Sequence, residues 1–154
     1  MEKALSLAYR YLSFRPRTII EVKKHLEKIA EKYMFSAADI EATIELLKDQ
    51  GYLNDLEFIK SFVNSRNLLK PKSQRVLEME LRKLGVEQTD IDIFFSETPT
   101  DEAQLAQKAL HKKIKSLSLI PDKKIRFMKA ISFLQRRGFS YDVAKQTYLQ
   151  LLPE

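Results

Sequence analysis

Apolar residues recur along this chain every three or four positions, the interval that places side chains on one face of an α-helix. The first such stripe consists of Ala4, Leu5, Ala8, Tyr11 and Leu12. No run alternates apolar and polar residues between turn signals, as a half-buried strand would. Glycine is scarce as well, with three residues in the whole chain. These patterns predict an all-α fold.

Start and stop signals predict three helices in the first third of the chain. The first helix must end before Pro16, because proline disfavours a helical conformation at the preceding residue. Thr18 opens a T-x-x-E capping box for the second helix, and Ser36 begins the third helix in a similar way. Gly51 is positioned to end that third helix.

The same plan recurs in the middle of the chain. Asn54 caps a helix whose apolar stripe runs toward Pro71, and Ser73 caps a helix that Gly85 ends. Thr89 is then predicted to cap a short third helix. The middle segment therefore also contains three predicted helices.

The last third begins with Thr98 and Pro99, residue types typical of a helix cap and first turn. The inner face of this helix runs over residues 103–117. Pro121 and Asp122 restart the chain in a long helix that ends at Gly138, and a last helix follows. A plug role in the core is predicted for Phe139, and Tyr9, Tyr11, Phe58 and Phe62 are predicted to be core residues.

These segments match one another in sequence. A shift of 55 residues places Pro71, Lys72, Ser73, Leu77 and Leu81 on Pro16, Arg17, Thr18, Val22 and Leu26. A shift of 53 residues places Leu81, Gly85 and Val86 on Leu134, Gly138 and Phe139. We therefore predict three tandem three-helix repeats, over residues 1–52, 53–98 and 99–154, in an elongated, curved, solenoid-like array.

Charge distinguishes the third repeat from the other two. The chain has a net charge of +6, and residues 99–154 carry 11 basic against 5 acidic side chains. Such a concentration predicts a surface that faces phosphates or acidic protein, whereas the alternative interpretation is an ordinary solvated helix face. The candidate contact residues are Lys108, Lys112, Lys113, Lys115, Lys123, Lys124, Arg126, Arg136 and Arg137.

Catalytic chemistry has little support in the sequence. Cysteine is absent, and the two histidines, His25 and His111, lie far apart without a strong ligand partner one turn away. No glycine-rich phosphate loop or nucleophile motif occurs. We expect no catalytic residue, metal, cofactor or small-molecule substrate, and hence a protein that is not an enzyme.

The remaining composition bears on location. Hydrophobic residues make up 44% of the chain, enough for a folded core, and no apolar run has the length of a bilayer span. The N-terminus lacks the apolar region and cleavage site of a secretion signal. We expect a cytoplasmic monomer that does not contact a membrane.

Four motifs in order along the chain resemble the bacterial RecX family, regulators of the RecA recombinase. They are YLSFRPRT near the start, GYLND at residues 51–55, RVLEMELRKLGV in the middle and FLQRRGFSYD at residues 133–142. The resemblance implies three tandem three-helix repeats that bind in the groove of the RecA filament on DNA. It also implies inhibition of the ATPase, strand-exchange and coprotease activities of RecA, within DNA repair and the SOS response.

The alternative is a stand-alone DNA-binding protein, because three-helix units with a basic helix resemble helix-turn-helix domains. The sequence favours this less, since the charge forms a broad run and the third helices of the first two repeats are acidic or neutral. A helical scaffold for another protein is a further possibility.

Overall fold

The computed structural model of the chain describes residues 1–153, and within this range it contains ten helices and no strand. The all-α prediction is confirmed. The helices are α1 Glu2–Phe14, α2 Ile19–Tyr33, α3 Ala37–Asp49, α4 Asp55–Leu69, α5 Gln74–Lys83, α6 Gln88–Glu97, α7 Glu102–His111, α8 Ile114–Ser118, α9 Lys123–Arg136 and α10 Tyr141–Leu151.

The chain divides into two compact units. Unit 1 comprises Met1–Ser61 and Leu81–Ser96, and unit 2 comprises Phe62–Glu80 and the chain from Glu97 onward. Residues of α4 and α5 therefore belong partly to one unit and partly to the other. The boundaries of three repeats at residues 52 and 98 stay a prediction.

Each unit has its own apolar core, built from the predicted stripes. In unit 1, side chains of α1, α2 and α3 pack together, and those of Ala4, Ala8, Val22, Leu26 and Leu47 are fully buried. In unit 2, α7, α9 and α10 surround Ala106, Leu110, Ala130, Leu134 and Ala144, which are also fully buried. Burial of these side chains supplies the main favourable free energy of folding.

Most predicted caps are confirmed. Thr18 and Ser36 each begin a complete capping box, in which the cap hydroxyl accepts a backbone N–H and an acidic side chain accepts the N–H of the cap residue. The amide oxygen of Asn54 accepts the Glu57 N–H at 3.2 Å, and the Ser73 hydroxyl accepts the N–H of Val76 at 3.3 Å.

Two predicted helix starts are wrong. Thr89 lies inside α6 and does not cap it, since the helix begins at Gln88. Thr98 and Pro99 precede α7, which starts three residues later, where the Asp101 carboxylate accepts the Gln104 N–H at 3.0 Å. A carboxylate at the cap satisfies a free N–H and complements the positive helix end.

The single helix predicted over residues 103–117 is in fact two helices. Lys112 and Lys113 form a break between α7 and α8, where the Lys113 N–H bonds to the Leu110 carbonyl at 2.8 Å. Ala103 is exposed, contrary to the prediction, while Leu117 is buried in the core of unit 2. The apolar stripe is compatible with one continuous helix, but two short helices form because both pack on α9.

The predicted aromatic core residues differ in burial. Phe58 and Phe139 are buried as expected, at 7% and 3% exposure. The prediction for Tyr9 is wrong, because its ring is exposed and its hydroxyl donates to Gln50 Oε1 at 2.6 Å. Tyr11 and Phe62 are half-buried. A tyrosine hydroxyl needs a polar partner, which favours the edge of a core.

A tight helix corner joins α2 to the end of α5 in unit 1. Gly85 follows α5 with φ +91°, and a Cβ there would lie 2.6 Å from the Ile20 Cβ. The Thr18 hydroxyl donates to the Leu84 carbonyl at 2.6 Å. The Asp55 carboxylate accepts the first N–H of α2, from Ile19, at 3.0 Å. The positive φ of Gly85 favours glycine, and the close approach of Ile20 leaves no space for a side chain.

An equivalent corner joins α5 to the end of α9 in unit 2. Gly138 has φ +94°, and a Cβ there would overlap Ser73 Oγ and Val76 Cγ2. The Ser73 N–H donates to the Arg137 carbonyl at 2.9 Å. The Glu102 carboxylate accepts the first N–H of α5 at 3.2 Å. In each of the two corners, therefore, the start of a helix packs against a glycine turn, and a carboxylate accepts the first N–H of that helix.

Candidate functional site

The excess positive charge of the chain lies in unit 2. Unit 2 carries 15 basic and 8 acidic residues, whereas unit 1 carries 12 basic and 13 acidic residues. All nine predicted contact residues belong to unit 2, on or next to α7, α8 and α9. These nine residues differ in their contacts, since some of their side chains bond to other groups of unit 2.

Lys112 stabilises the end of another helix. Its ammonium group donates to the carbonyl of Leu69 at 3.1 Å and lies 3.5 Å from that of Leu68, both in the last turn of α4. A cation at a helix C-terminus complements the negative end of the helix dipole. Lys112 and Lys108 also line an open groove beside this helix end.

Arg126 and Arg137 are half-buried and bonded to the backbone. The Arg126 guanidinium donates to the Ile120 carbonyl at 2.8 Å and to the Tyr148 hydroxyl at 3.3 Å. The Arg137 guanidinium donates to the Pro71 carbonyl at 3.1 Å. Both arginines therefore hold unit 2 together, whatever else they contact.

Lys113 and Arg137 share one aromatic ring. The Lys113 ammonium lies 5.4 Å, and the Arg137 guanidinium 4.8 Å, from the centroid of the Phe133 ring. Burial, and then the charge of Arg136, lower the pKa of the Arg137 guanidinium. An anion nearby would relieve this repulsion between like charges.

The remaining five predicted residues have exposed side chains. Lys115 lies on α8, and Lys124 follows the Asp122 cap in the first turn of α9, where Asp122 Oδ1 accepts its N–H at 2.9 Å. Arg136 ends α9 on the exposed side. These five residues are Lys108, Lys115, Lys123, Lys124 and Arg136.

The sequence reasoning missed a second surface, which runs along α9. Ile125, Met128, Lys129, Ser132 and Arg136 line a shallow open groove. Their spacing of three, one, three and four places them on one helix face. The apolar members of this set were the available signal, because they do not belong to the stripe that the core of unit 2 uses.

An ion-pair cluster fixes the corner between α4 and α5. The Glu80 carboxylate accepts from Arg66 Nε at 3.1 Å and from Lys72. Burial alone raises the pKa of Glu80, but these two hydrogen bonds outweigh it and hold the pKa below its usual range. Lys72 and Arg66 are thereby engaged with an internal carboxylate.

The two histidines have different surroundings. His25 stacks on the Tyr11 ring at 3.9 Å, and Arg17 covers that ring, also at 3.9 Å. Burial, and then the charges of Arg17 and Lys28, lower the pKa of His25. His111 is exposed and lines the same open groove as Lys108 and Lys112. Over residues 1–153, no three histidine or acidic side chains gather in a way that could hold a metal ion.

A membrane-crossing helix is not found in the described part of the chain, because none is both long enough and apolar enough.

Two family models match the sequence. Residues 54–93 match the second three-helix domain of RecX, and residues 100–147 match its third three-helix domain. Together these segments cover more than half of the 154 residues. The match to the third three-helix domain includes all nine basic candidate residues.

Similar proteins with curated names agree with these matches. The chain is 33% identical over 135 residues to the regulatory protein RecX of Vibrio parahaemolyticus, covering 88% of this chain and 83% of that protein. It is 30% identical over 146 residues to the regulatory protein RecX of Leuconostoc mesenteroides, covering 93% of this chain and 52% of that protein. The chain spans about half the length of several such relatives.

A solved structure has the same fold. The crystal structure of RecX from Lactobacillus salivarius superimposes with a TM-score of 0.77, at 23% sequence identity, over 97% of this chain and 95% of that one. At this identity the likeness concerns the fold alone.

Proposed function

The chain belongs to the RecX family of regulatory proteins, and from this premise we propose that it binds the RecA filament on DNA and inhibits RecA. The inhibited activities would be ATP hydrolysis, strand exchange and coprotease function, in DNA repair and the SOS response. The protein would act as a cytoplasmic monomer and without catalytic chemistry of its own. The observation that supports this most is the concentration of positive charge in unit 2, with 15 basic against 8 acidic residues.

A charged surface of this kind suits a polymer that carries regularly spaced negative charge. Long-range attraction to phosphates or acidic protein raises the rate of encounter and orients the approaching molecule. Inhibition then requires higher affinity for one filament state than for another, since equal affinity shifts no equilibrium. The protein would thereby hold the filament in a state that hydrolyses ATP slowly.

Within the basic set, we assign support to the residues that bond to backbone carbonyls, and direct contact to Lys108, Lys115, Lys123, Lys124 and Arg136. Lys112, Arg126 and Arg137 bond to backbone carbonyls of unit 2, so their substitution would perturb folding as well as binding. A test of function therefore has to spare them. Exposed lysines such as Lys115 and Lys124 can be changed with little effect on the core.

The test is the ATPase rate of RecA on single-stranded DNA with added protein. We expect the variant Lys108→Glu/Lys115→Glu/Lys124→Glu to lose inhibition, because each reversal replaces attraction by repulsion. The matched control is Lys24→Glu/Lys28→Glu/Lys60→Glu, which changes the net charge equally on exposed positions of unit 1.

The control variant should inhibit like the wild type. Full inhibition by the folded unit 2 variant would remove the charge explanation. No inhibition by the wild type would refute the proposal that the protein inhibits RecA. Circular dichroism establishes that each variant is folded.

The stand-alone DNA-binding alternative has less support. A helix that reads a DNA groove needs positive charge, yet α3 carries four acidic residues against one lysine, and α6 carries three acidic residues and no basic one. Sequence-selective binding of the protein to bare duplex DNA, without RecA, would favour that alternative.

A further inference from the structure

We propose that the exposed side of α9 is a docking surface for an acidic, partly apolar helical segment of a protein partner. We call this surface the α9 face, and it consists of Ile125, Met128, Lys129, Ser132 and Arg136. The proposal goes beyond inhibition of RecA, since it specifies the chemistry of a protein contact. Only the expectation that the α9 face contacts the RecA filament rests on the proposed function.

The α9 face contains two exposed apolar residues. Ile125 is 47% exposed and Met128 is 65% exposed, and they lie one turn apart. The opposite side of α9 is already buried, with Ala130, Ile131 and Leu134 in the core of unit 2. The helix therefore has a second apolar side that no described part of the chain covers.

The two helix corners indicate what kind of structure covers such a side. Val76 stands three residues after the Ser73 cap of α5, and the Gly138 corner packs directly on it. Ile125 likewise stands three residues after the Asp122 cap of α9. In α2, Ile20, two residues after the Thr18 cap, lies against the Gly85 corner.

Both internal corners bring a carboxylate with them. Asp55 accepts the first N–H of α2 at 3.0 Å, and Glu102 accepts the first N–H of α5 at 3.2 Å. The structure that covers a helix of this type is thus, in both internal cases, a close-packed helix corner with an acidic side chain. A partner segment with the same chemistry fits the α9 face.

Charge favours the same partner. The sequence of α9, KKIRFMKAISFLQR, contains no acidic residue, and Lys129 and Arg136 follow the apolar pair along the α9 face. Positive charge next to an apolar pair matches an acidic, amphipathic protein segment, since interfaces combine an apolar centre with a polar rim. A nucleic acid backbone would leave Ile125 and Met128 without an apolar partner. Methionine also adapts its shape to a partner surface.

The direct test uses two synthetic helical peptides and the full chain labelled for NMR. One peptide has leucines on one side and glutamates on the other, and the second has lysines in place of the glutamates. We expect the acidic peptide to shift the amide resonances of residues 123–136 and the basic peptide to leave them unchanged. Equal binding of both peptides, or no shift in this range, would overturn the proposal.

Substitutions then connect binding to the α9 face. The variant Ile125→Ser/Met128→Ser should bind the acidic peptide about tenfold more weakly, because two apolar contacts with the peptide are lost. Leu149→Ser is the matched control, since Leu149 is 50% exposed on α10 of the same unit. Unchanged affinity of the double variant would refute the assignment.

The same variants separate this inference from the proposed function. We expect Ile125→Ser/Met128→Ser to bind RecA filaments on single-stranded DNA more weakly than the wild type, while its affinity for bare single-stranded DNA stays the same. Wild-type protein that binds the acidic peptide but no filament would refute the proposed function and leave the α9 face supported. Filament binding by the double variant at wild-type affinity would refute the α9 face as its contact.

Discussion

At the scale of single residues, the same backbone conformation has different consequences in different surroundings. Gly51, Gly85 and Met34 all have positive φ, at +81°, +91° and +59°. A Cβ at Gly51 would meet nothing within 4 Å, whereas one at Gly85 would collide with Ile20. Met34 ends α2 with its side chain 91% exposed, so its Cβ is tolerated. Positive φ alone therefore does not require glycine, but a close neighbour does.

This difference gives a prediction for stability. Gly51→Ala should lower the free energy of unfolding by about 1 kcal/mol, the cost of a left-handed alanine. Gly85→Ala should lower it by roughly 1 to 3 kcal/mol more, because Ile20 must move. Urea denaturation followed by circular dichroism measures both, and the two glycines lie in the same unit. Equal losses for the two variants would contradict the steric explanation.

At the scale of helices, the surroundings of a helix start decide how much its cap residue contributes to stability. Thr18 and Ser36 both begin capping boxes, and both hydroxyls accept a backbone N–H at 3.1 Å. Ser36 is exposed, whereas Thr18 is fully buried and also donates to the Leu84 carbonyl at 2.6 Å. The hydroxyl that caps α2 thus also makes a tertiary hydrogen bond.

We therefore expect unequal effects of removing these two hydroxyls. Ser36→Ala should cost about 1 kcal/mol of stability, the usual value of a helix cap. Thr18→Ala should cost roughly 1 to 3 kcal/mol in addition, because the carbonyl of the half-buried Leu84 loses its donor. Thermal and urea unfolding of the two variants provide the comparison. A smaller effect for Thr18→Ala than for Ser36→Ala would contradict a role for the Leu84 bond.

At the scale of the whole molecule, charge is distributed unevenly between the two units. Unit 1 has 12 basic and 13 acidic residues, and unit 2 has 15 basic and 8 acidic residues. Electrostatic attraction to a negatively charged polymer therefore comes from unit 2. Binding of this kind releases counterions and weakens as salt rises.

The salt dependence of binding to bare single-stranded DNA tests this distribution. Each lysine that contacts a phosphate contributes about 0.7 to the slope of log affinity against log salt. Lys115→Gln/Lys124→Gln should therefore reduce the slope by about 1.4 if both make such contacts. Lys24→Gln/Lys28→Gln, in unit 1, should leave it unchanged. Equal slopes for wild type and both variants would show that Lys115 and Lys124 do not contact phosphates.

Local patterns determined the helical class, most helix caps and the location of the charge. These follow from interactions within a few residues, such as the capping boxes at Thr18 and Ser36, which any helix of that sequence can form. The predicted start of α7 is wrong because Thr98 and Asp101 both suit a cap, and the choice between such neighbours is not made by local propensity.

Tertiary structure alone decided which basic side chains bond to backbone carbonyls of the protein. Lys112, Arg126 and Arg137 look like Lys115 in the sequence, yet they bond to carbonyls contributed by distant or adjoining segments. It also decided that Gly85 and Gly138 lie against earlier helices, and that Ile125 and Met128 stay uncovered. Which partner a side chain meets depends on how the helices pack, and a repeating apolar stripe leaves several packings open.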